Sequence, residues 1–350
     1  MADFIFHDPT GRRDRRARLG VGLLVSLAAL IVAGFFATLA FAPRLPSLSL
    51  KDPRVLQALH VETAHRLKGK PGWTHVPRRP HAGEPGGATR PLSIGFYVSW
   101  DPASLPSLQQ HVGQLDVVSP QWIFLKNSLG PVTVVSDPQA QATIAAAKNA
   151  PSVLPSITNA HDGIFDGPLA NDLLTNPAAR TALVTNLVNL ARNRGFAGYV
   201  FDLENISPKA LAQYPALVAQ ARAALKPLGR EVWVTVPFGN PDWRLKTFQN
   251  VSDTVVLMAY DEHWGGNTAQ PGPPASQDWF EKNLEQDARQ LDAAKTVIAL
   301  GDYGYDWTLD KNGKAIKGET ENFYDATRDA HDAEANVSFD DDALNPTYAF

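Results

Sequence analysis

From Leu92 onward, short apolar runs alternate with amphipathic helical stretches, and this alternation constrains the fold more than any other feature of the chain. The runs are LSIGFYVSW (92–100), DVVSPQWIF (116–124), SVLPSIT (152–158), GYVFDLE (198–204), EVWVTVPF (231–238), DTVVLMAY (253–260) and TVIALGDYG (296–304). Helix starts are readable between them. Asn176 caps a helix with Pro177 at its first position, and Leu183, Leu187 and Leu190 follow one stripe. Ser207 and Pro208 open the next, through Leu211, Tyr214, Leu217 and Ala221, and Ser276 precedes a helix over 277–293. Strands alternating with helices imply a parallel sheet. Seven repeats of this kind fit a closed barrel better than an open sheet, and no GxGxxG or GxxxxGK[ST] phosphate loop is present. LDKNGKAIKG then reads as a hairpin turning at Asn312-Gly313, followed by an acidic helical stretch. The predicted class is α/β, a (β/α)8 TIM barrel over 91–350. It carries a small insertion after strand seven, and its eighth strand is missing at the C-terminus.

The N-terminal portion obeys different rules. Gly20 to Ala42 contains no charge, and about 20 such residues span a bilayer core. Arg12, Arg13, Arg15, Arg16 and Arg18 precede it, so residues 1–18 are expected in the cytoplasm and 19–42 as a single transmembrane signal-anchor. The competing reading is a cleaved signal peptide ending at Ala40-Phe41-Ala42. Residues 43–90, rich in Pro and Gly, form a linker with a short helix possible over 56–67. The expected location is the bacterial inner membrane, with the barrel periplasmic or extracellular. Through Arg90 the chain has 14 Lys/Arg and 6 Asp/Glu, whereas the remainder has 18 against 30. An acidic globular part repels phosphates and excludes nucleic acid as a partner. The chain has no cysteine, which removes disulfides, thiolate catalysis and thiolate metal sites.

Active-site groups of such barrels project from the C-terminal ends of strands. On the fourth strand Val200, Asp202 and Glu204 share one face, while Tyr199, Phe201 and Leu203 form an apolar opposite face. Two carboxylates this close resist double ionisation, which raises one of them toward the range of a general acid. Tyr260 and Asp261 end the sixth strand at the same rim. Trp100, Trp122, Trp264 and Trp307, with Tyr303, each follow or end a predicted strand, and aromatic faces stack on sugar rings. These five are the expected substrate-binding residues. Ser156, Thr158 and Asn159 are further rim candidates for substrate contact. His161-Asp162 and Glu262-His263 lack a third ligand at metal spacing, so they read as solvated loop residues and no metal or cofactor is expected; the alternative for Glu262 and His263 is to line the cleft beside Asp261.

These residues also carry a resemblance. GYVFDLEN resembles the strand-four signature D-G-x-D-x-D-x-E of family 18 glycoside hydrolases, MAYDEHW resembles that family's strand-six M-x-Y-D, and LGDYGYDW resembles its strand-seven segment. The resemblance implies that Glu204 donates a proton to the glycosidic oxygen. It implies that Asp202 orients the substrate's 2-acetamido group, and that Tyr260 and Asp261 hold that group as it attacks. The implied reaction cleaves β-1,4 linkages of an N-acetylglucosamine-containing polysaccharide with retention, through an oxazolinium-like intermediate, so carboxylate spacing does not report the stereochemistry. Ala197 and Val200 stand where the signature has its first and second Asp, which predicts weak turnover. Spore cortex-lytic relatives, with D-G-V-N-I-D-F-E-N, are similar to this branch. Two alternatives follow: a lectin-like barrel that binds without cleaving, or a module of an exopolysaccharide synthesis or modification protein, since such barrels occur fused to polysaccharide deacetylase and glycosyltransferase domains.

Overall fold

In a computed structural model the described residues are 92–161 and 163–350. The anticipated cytoplasmic tail, membrane segment and linker lie outside them. Among the described residues no helix is long and apolar enough to cross a membrane.

The first strands are β1 (Ile94–Tyr97), β2 (Val117–Pro120), β3 (Ile123–Leu125), β4 (Val132–Val134), β5 (Ser152–Val153) and β6 (Ser156–Thr158). A short hairpin, β7 (Ala160–His161) and β8 (Ile164–Phe165), leads to β9 (Gly198–Asp202), β10 (Glu231–Pro237), β11 (Thr254–Ala259) and β12 (Thr296–Leu300). The helices α1 (Ser104–His111), α2 (Pro138–Ala146), α3 (Gly167–Thr175), α4 (Pro177–Arg194), α5 (Pro208–Leu211), α6 (Tyr214–Leu225), α7 (Leu245–Val251) and α8 (Gln277–Ala288) connect them. Parallel pairing runs β1-β2-β5 and β3-β6-β9-β10-β11-β12, with β4 antiparallel at the edge of β3.

The runs 116–124 and 152–158, each expected as one strand, are each broken at a proline. Pro120 ends β2, and Pro155 separates β5 from β6, because proline contributes no N–H to the ladder. The path remains continuous: the Leu154 amide donates to Val118 O at 3.0 Å, and the Val200 amide donates to Pro155 O at 3.1 Å. The seventh run also ends early. Its last residues leave the sheet after Leu300, and Tyr303 starts a separate hairpin, β13 (Tyr303–Leu309) with β14 (Ala315–Asn322), turning where Gly313 has φ 77°. The acidic helix α9 (Phe323–Asp332) follows, then the short pair β15 (Ser338–Phe339) and β16 (Pro346–Thr347). No eighth barrel strand occurs among the described residues.

The strands separate two apolar environments. Tyr199, Phe201 and Leu203 face outward into the layer shared with α4 and α6, where Leu183, Leu187, Leu217 and Ala221 are buried. Burying each such leucine contributes about 1.5–3 kcal/mol. Inside the barrel, Val117, Leu154, Val200, Trp233, Val256 and Ala299 form a second cluster. Residues on both faces of β11 are buried, as a parallel strand covered on both sides requires. Gly198 begins β9 where a Cβ would come within 2.2 Å of Glu231 O, so only glycine lets β9 and β10 approach. Asn176 caps α4 as anticipated, accepting from the amides of Ala178 and Ala179 at 3.0 and 3.3 Å.

Candidate active site

The parallel strands bring Asp202, Glu204, Tyr260 and Asp261 to one end of the barrel. Asp202 is the last residue of β9, and its half-buried carboxylate accepts from the Thr235 hydroxyl at 2.8 Å. Thr235 lies on the neighbouring β10, one step beyond the paired Phe201 and Val234. Burial raises the Asp202 carboxyl above its ordinary range, and the Thr235 hydrogen bond opposes that rise.

Glu204 lies two residues on. Its main chain is clamped at both polar atoms by the fully buried Asn159: the Glu204 amide donates to Asn159 Oδ1 at 3.0 Å, and Asn159 Nδ2 donates to Glu204 O at 3.0 Å. The same Nδ2 reaches Asp166 O at 2.9 Å, so one side chain joins the turn after β8 to the segment after β9. Burial first, then the charges of Asp202 and Asp261, push the Glu204 carboxyl up to about 8. Asn159, anticipated as a substrate contact, is therefore occupied in shaping the acid's backbone. Thr158 is also engaged, its hydroxyl accepting from the Ala160 amide at 3.0 Å. Ser156 is buried.

Asp261 follows β11 with φ 64°, and Asn205 follows Glu204 with φ 56°. Both are residue types that tolerate the left-handed region, so each chain turns away directly after presenting its acidic group. The Asp261 carboxylate accepts from Tyr303 Oη and, at 2.8 Å, from Tyr305 Oη. Burial and then Asp261 raise both phenols, which remain donors at neutral pH. Tyr260 is raised by burial, Asp202, Glu204 and Asp261 in that order.

Tyr303, Tyr305 and Trp307 alternate along β13 and share one face. With Tyr260 they form a ladder of rings whose centroids are 6.0, 5.7 and 5.6 Å apart in sequence. The Trp307 indole donates to Gly272 O at 3.1 Å, and Gly265 packs against Gly318 of β14, where a Cβ on Gly265 would come within 2.6 Å of the Gly318 carbonyl. The loop after β11 and the hairpin are thus joined beside Asp261. Tyr305 was missed in the sequence, although the i, i+2, i+4 spacing of Tyr303, Tyr305 and Trp307 carried the signal.

The expected aromatic residues divide. Trp100 and Trp264 are 71% and 52% exposed at the rim, with the Trp100 indole donating to Gln121 Oε1 at 3.0 Å. Trp122 is a correction: it is 2% exposed and packs on Phe196 in the outer layer, so its ring is not offered to a ligand. Glu262 and His263 lie in the loop after β11. Glu262 accepts from the Ser276 amide at 2.6 Å, and His263 Nδ1 lies 2.9 Å from Pro273 O, so both brace the loop leading into α8. His161 belongs to the β7–β8 hairpin, and Asp162 lies outside the described residues.

The sequence matches the glycosyl hydrolases family 18 profile over residues 96–350. The chain belongs to that family. Among curated relatives, the uncharacterized glycosylase YvbX of Bacillus subtilis strain 168 is 28% identical over 232 residues, 62% of this chain and 65% of the relative. The cortical fragment-lytic enzyme of the same organism is 24% identical over 205 residues, 55% of this chain and 47% of the relative. The chain spans less than two thirds of the length of either. A chitinase from Chromobacterium violaceum superposes with a TM-score of 0.63 at 21% identity, covering 73% of this chain and 81% of that one. A family 18 chitinase from Cycas revoluta, solved in complex with (GlcNAc)3, gives 0.63 at 18% identity, covering 74% and 85%. The fold is the family's (β/α)8 barrel, of which the described residues supply seven of the barrel's strand positions.

Proposed function

We propose that this family 18 domain hydrolyses β-1,4 linkages of an N-acetylglucosamine-containing polysaccharide by substrate-assisted retaining catalysis. The observation that carries the reading is Glu204, a carboxyl pushed up to about 8 beside Asp202 and Asp261 at the barrel mouth. Such a group holds its proton at neutral pH, as a general acid must. In the first step Glu204 gives that proton to the glycosidic oxygen while the substrate's acetamido oxygen attacks the anomeric carbon, and the C–O bond to the leaving sugar breaks. Asp202 accepts from the acetamido N–H, and Tyr260 donates to its oxygen. Water then opens the oxazolinium ring and returns a proton to Glu204. Asp261, held by two phenols, fixes the sugar beside Tyr260, and Trp264 and Trp100 supply exposed faces for neighbouring units. The (GlcNAc)3 in the Cycas revoluta chitinase supports this ligand class. The uncharged run over 19–42 supports delivery of the domain outside the cytoplasmic membrane, where such polymers lie.

A second reading, binding without turnover, is favoured by Val200, which places an apolar side chain where the signature has a carboxylate. Assaying the full chain on fluorogenic N-acetylglucosamine oligomers, with calorimetric titration of unlabelled oligomers, separates the two. Hydrolysis that drops roughly a hundred- to ten-thousand-fold in Glu204→Gln, with affinity retained, is the expected result. Equal cleavage by wild type and Glu204→Gln removes Glu204 as the acid, and binding with no product selects the lectin-like reading.

A further inference from the structure

Val200 is fully buried in one cluster with Val117, Leu154, Trp233, Val256 and Ala299, with buried Ser156 in register beside it on β6. A carboxylate at position 200 would be fully buried, which is costly, whereas the valine packs with the apolar side chains of that cluster. Asp202 nevertheless has a polar neighbour at the same level of the barrel. Thr235, itself 5% exposed, places its hydroxyl 2.8 Å from Asp202 Oδ1 and 3.2 Å from Phe201 O. A hydroxyl has one hydrogen and two lone pairs. It donates to the ionised Asp202 carboxylate. When Asp202 is protonated, the same hydroxyl donates instead to Phe201 O and accepts the Asp202 proton. One residue therefore satisfies both states of Asp202 without itself ionising.

We propose that Thr235 is the positioning residue that stands in for the absent second carboxylate, partnering Asp202 in each of its protonation states. This rests on the glycosidase reading for its catalytic consequence, but not for the partnership itself. The groups around Asp202 are Glu204, two residues past the end of β9, Tyr260 directly after β11 and Tyr214 from α6, with Asp261 acting on Glu204 and Tyr260. On the other side β6 contributes Thr158, in register with Asp202, whose hydroxyl is engaged by the Ala160 amide. None of these is a cation, so the Thr235 hydroxyl is the side-chain donor that favours ionised Asp202.

The test compares wild type, Thr235→Val and Thr235→Ser as full chains carrying 13C-carboxyl aspartate, with the Asp202 resonance assigned by its loss in Asp202→Asn. Thr235→Val keeps the shape and removes the hydroxyl. The Asp202 titration midpoint is expected to move to higher pH in Thr235→Val and to return in Thr235→Ser. On oligomer substrates kcat falls roughly 10- to 100-fold in Thr235→Val with KM little changed. The acidic limb of its pH profile moves to higher pH while Thr235→Ser stays near wild type. A midpoint unchanged in Thr235→Val overturns the proposal, and so does a valine variant with wild-type kcat and both limbs in place. A shifted midpoint in a wild type that cleaves no glycoside upholds the partnership and removes the glycosidase reading instead.

Discussion

Glu204 sets the direction of the pH response. Its carboxyl, ordinarily near 4.5, is pushed up to about 8 by burial, Asp202 and Asp261. The acid must be protonated to act, so activity is present below that value and is lost as pH rises through it. Replacing Asp202 with Asn removes a neighbouring negative charge at almost constant size. Glu204 then releases its proton more readily, and the basic limb should move to lower pH while the rate falls. A pH profile of kcat/KM for the two proteins checks this, and a basic limb that does not move shows that the carboxyls do not titrate as a coupled pair. The opposite face of β9 was legible for the same local reason that grouped the carboxylates: residues two apart share a side, and Tyr199, Phe201 and Leu203 are buried against helices as that alternation requires.

At the level of elements, the loops after β6 and β9 act as one unit because Asn159 bonds the backbone of Glu204 at both N–H and C=O. Asn159→Ala leaves two backbone groups without those partners beside a buried position. Thermal or denaturant unfolding should show a loss of about 1–3 kcal/mol, and an unchanged unfolding midpoint would mean that water replaces the clamp at no cost. Trp122 shows where period-two counting stops. Pro120 breaks the run before Trp122, so alternation does not carry across it, and only packing on Phe196 placed the indole in the outer core rather than at the mouth. The hairpin β13–β14 was visible in its Asn312-Gly313 turn, yet its start at Tyr303 was not, because TVIALGDYG has no break signal stronger than Gly301.

For the molecule as a whole, the acidic barrel portion and the arginines before Gly20 act at opposite ends of the chain. With the tail held inside by the positive-inside tendency, the barrel is expected on the outer side of the cytoplasmic membrane. Protease added to intact spheroplasts should then digest residues 92–350, and protection of that portion until the membrane is lysed would reverse the topology. A cleaved leader and an anchor separate by fractionation: the barrel is released in the first case and sediments with membranes in the second.

The sequence by itself determined the alternation of strand and helix, the pairing of Asp202 with Glu204 on one face and the arrival of Tyr260 and Asp261 at the same rim. All of these follow from periodicity along the chain and from the rule that parallel strands end together. The tertiary structure alone decided that Thr235 faces Asp202, that Asn159 holds the Glu204 backbone, that Tyr305 joins Tyr303 on Asp261 and that Val200 packs in one cluster with Trp233 and Val256. Those contacts depend on strand register and on where loops cross, set by residues 33 to 45 positions apart. Local pattern fixes which way a side chain points; only the assembled strands fix what it meets there.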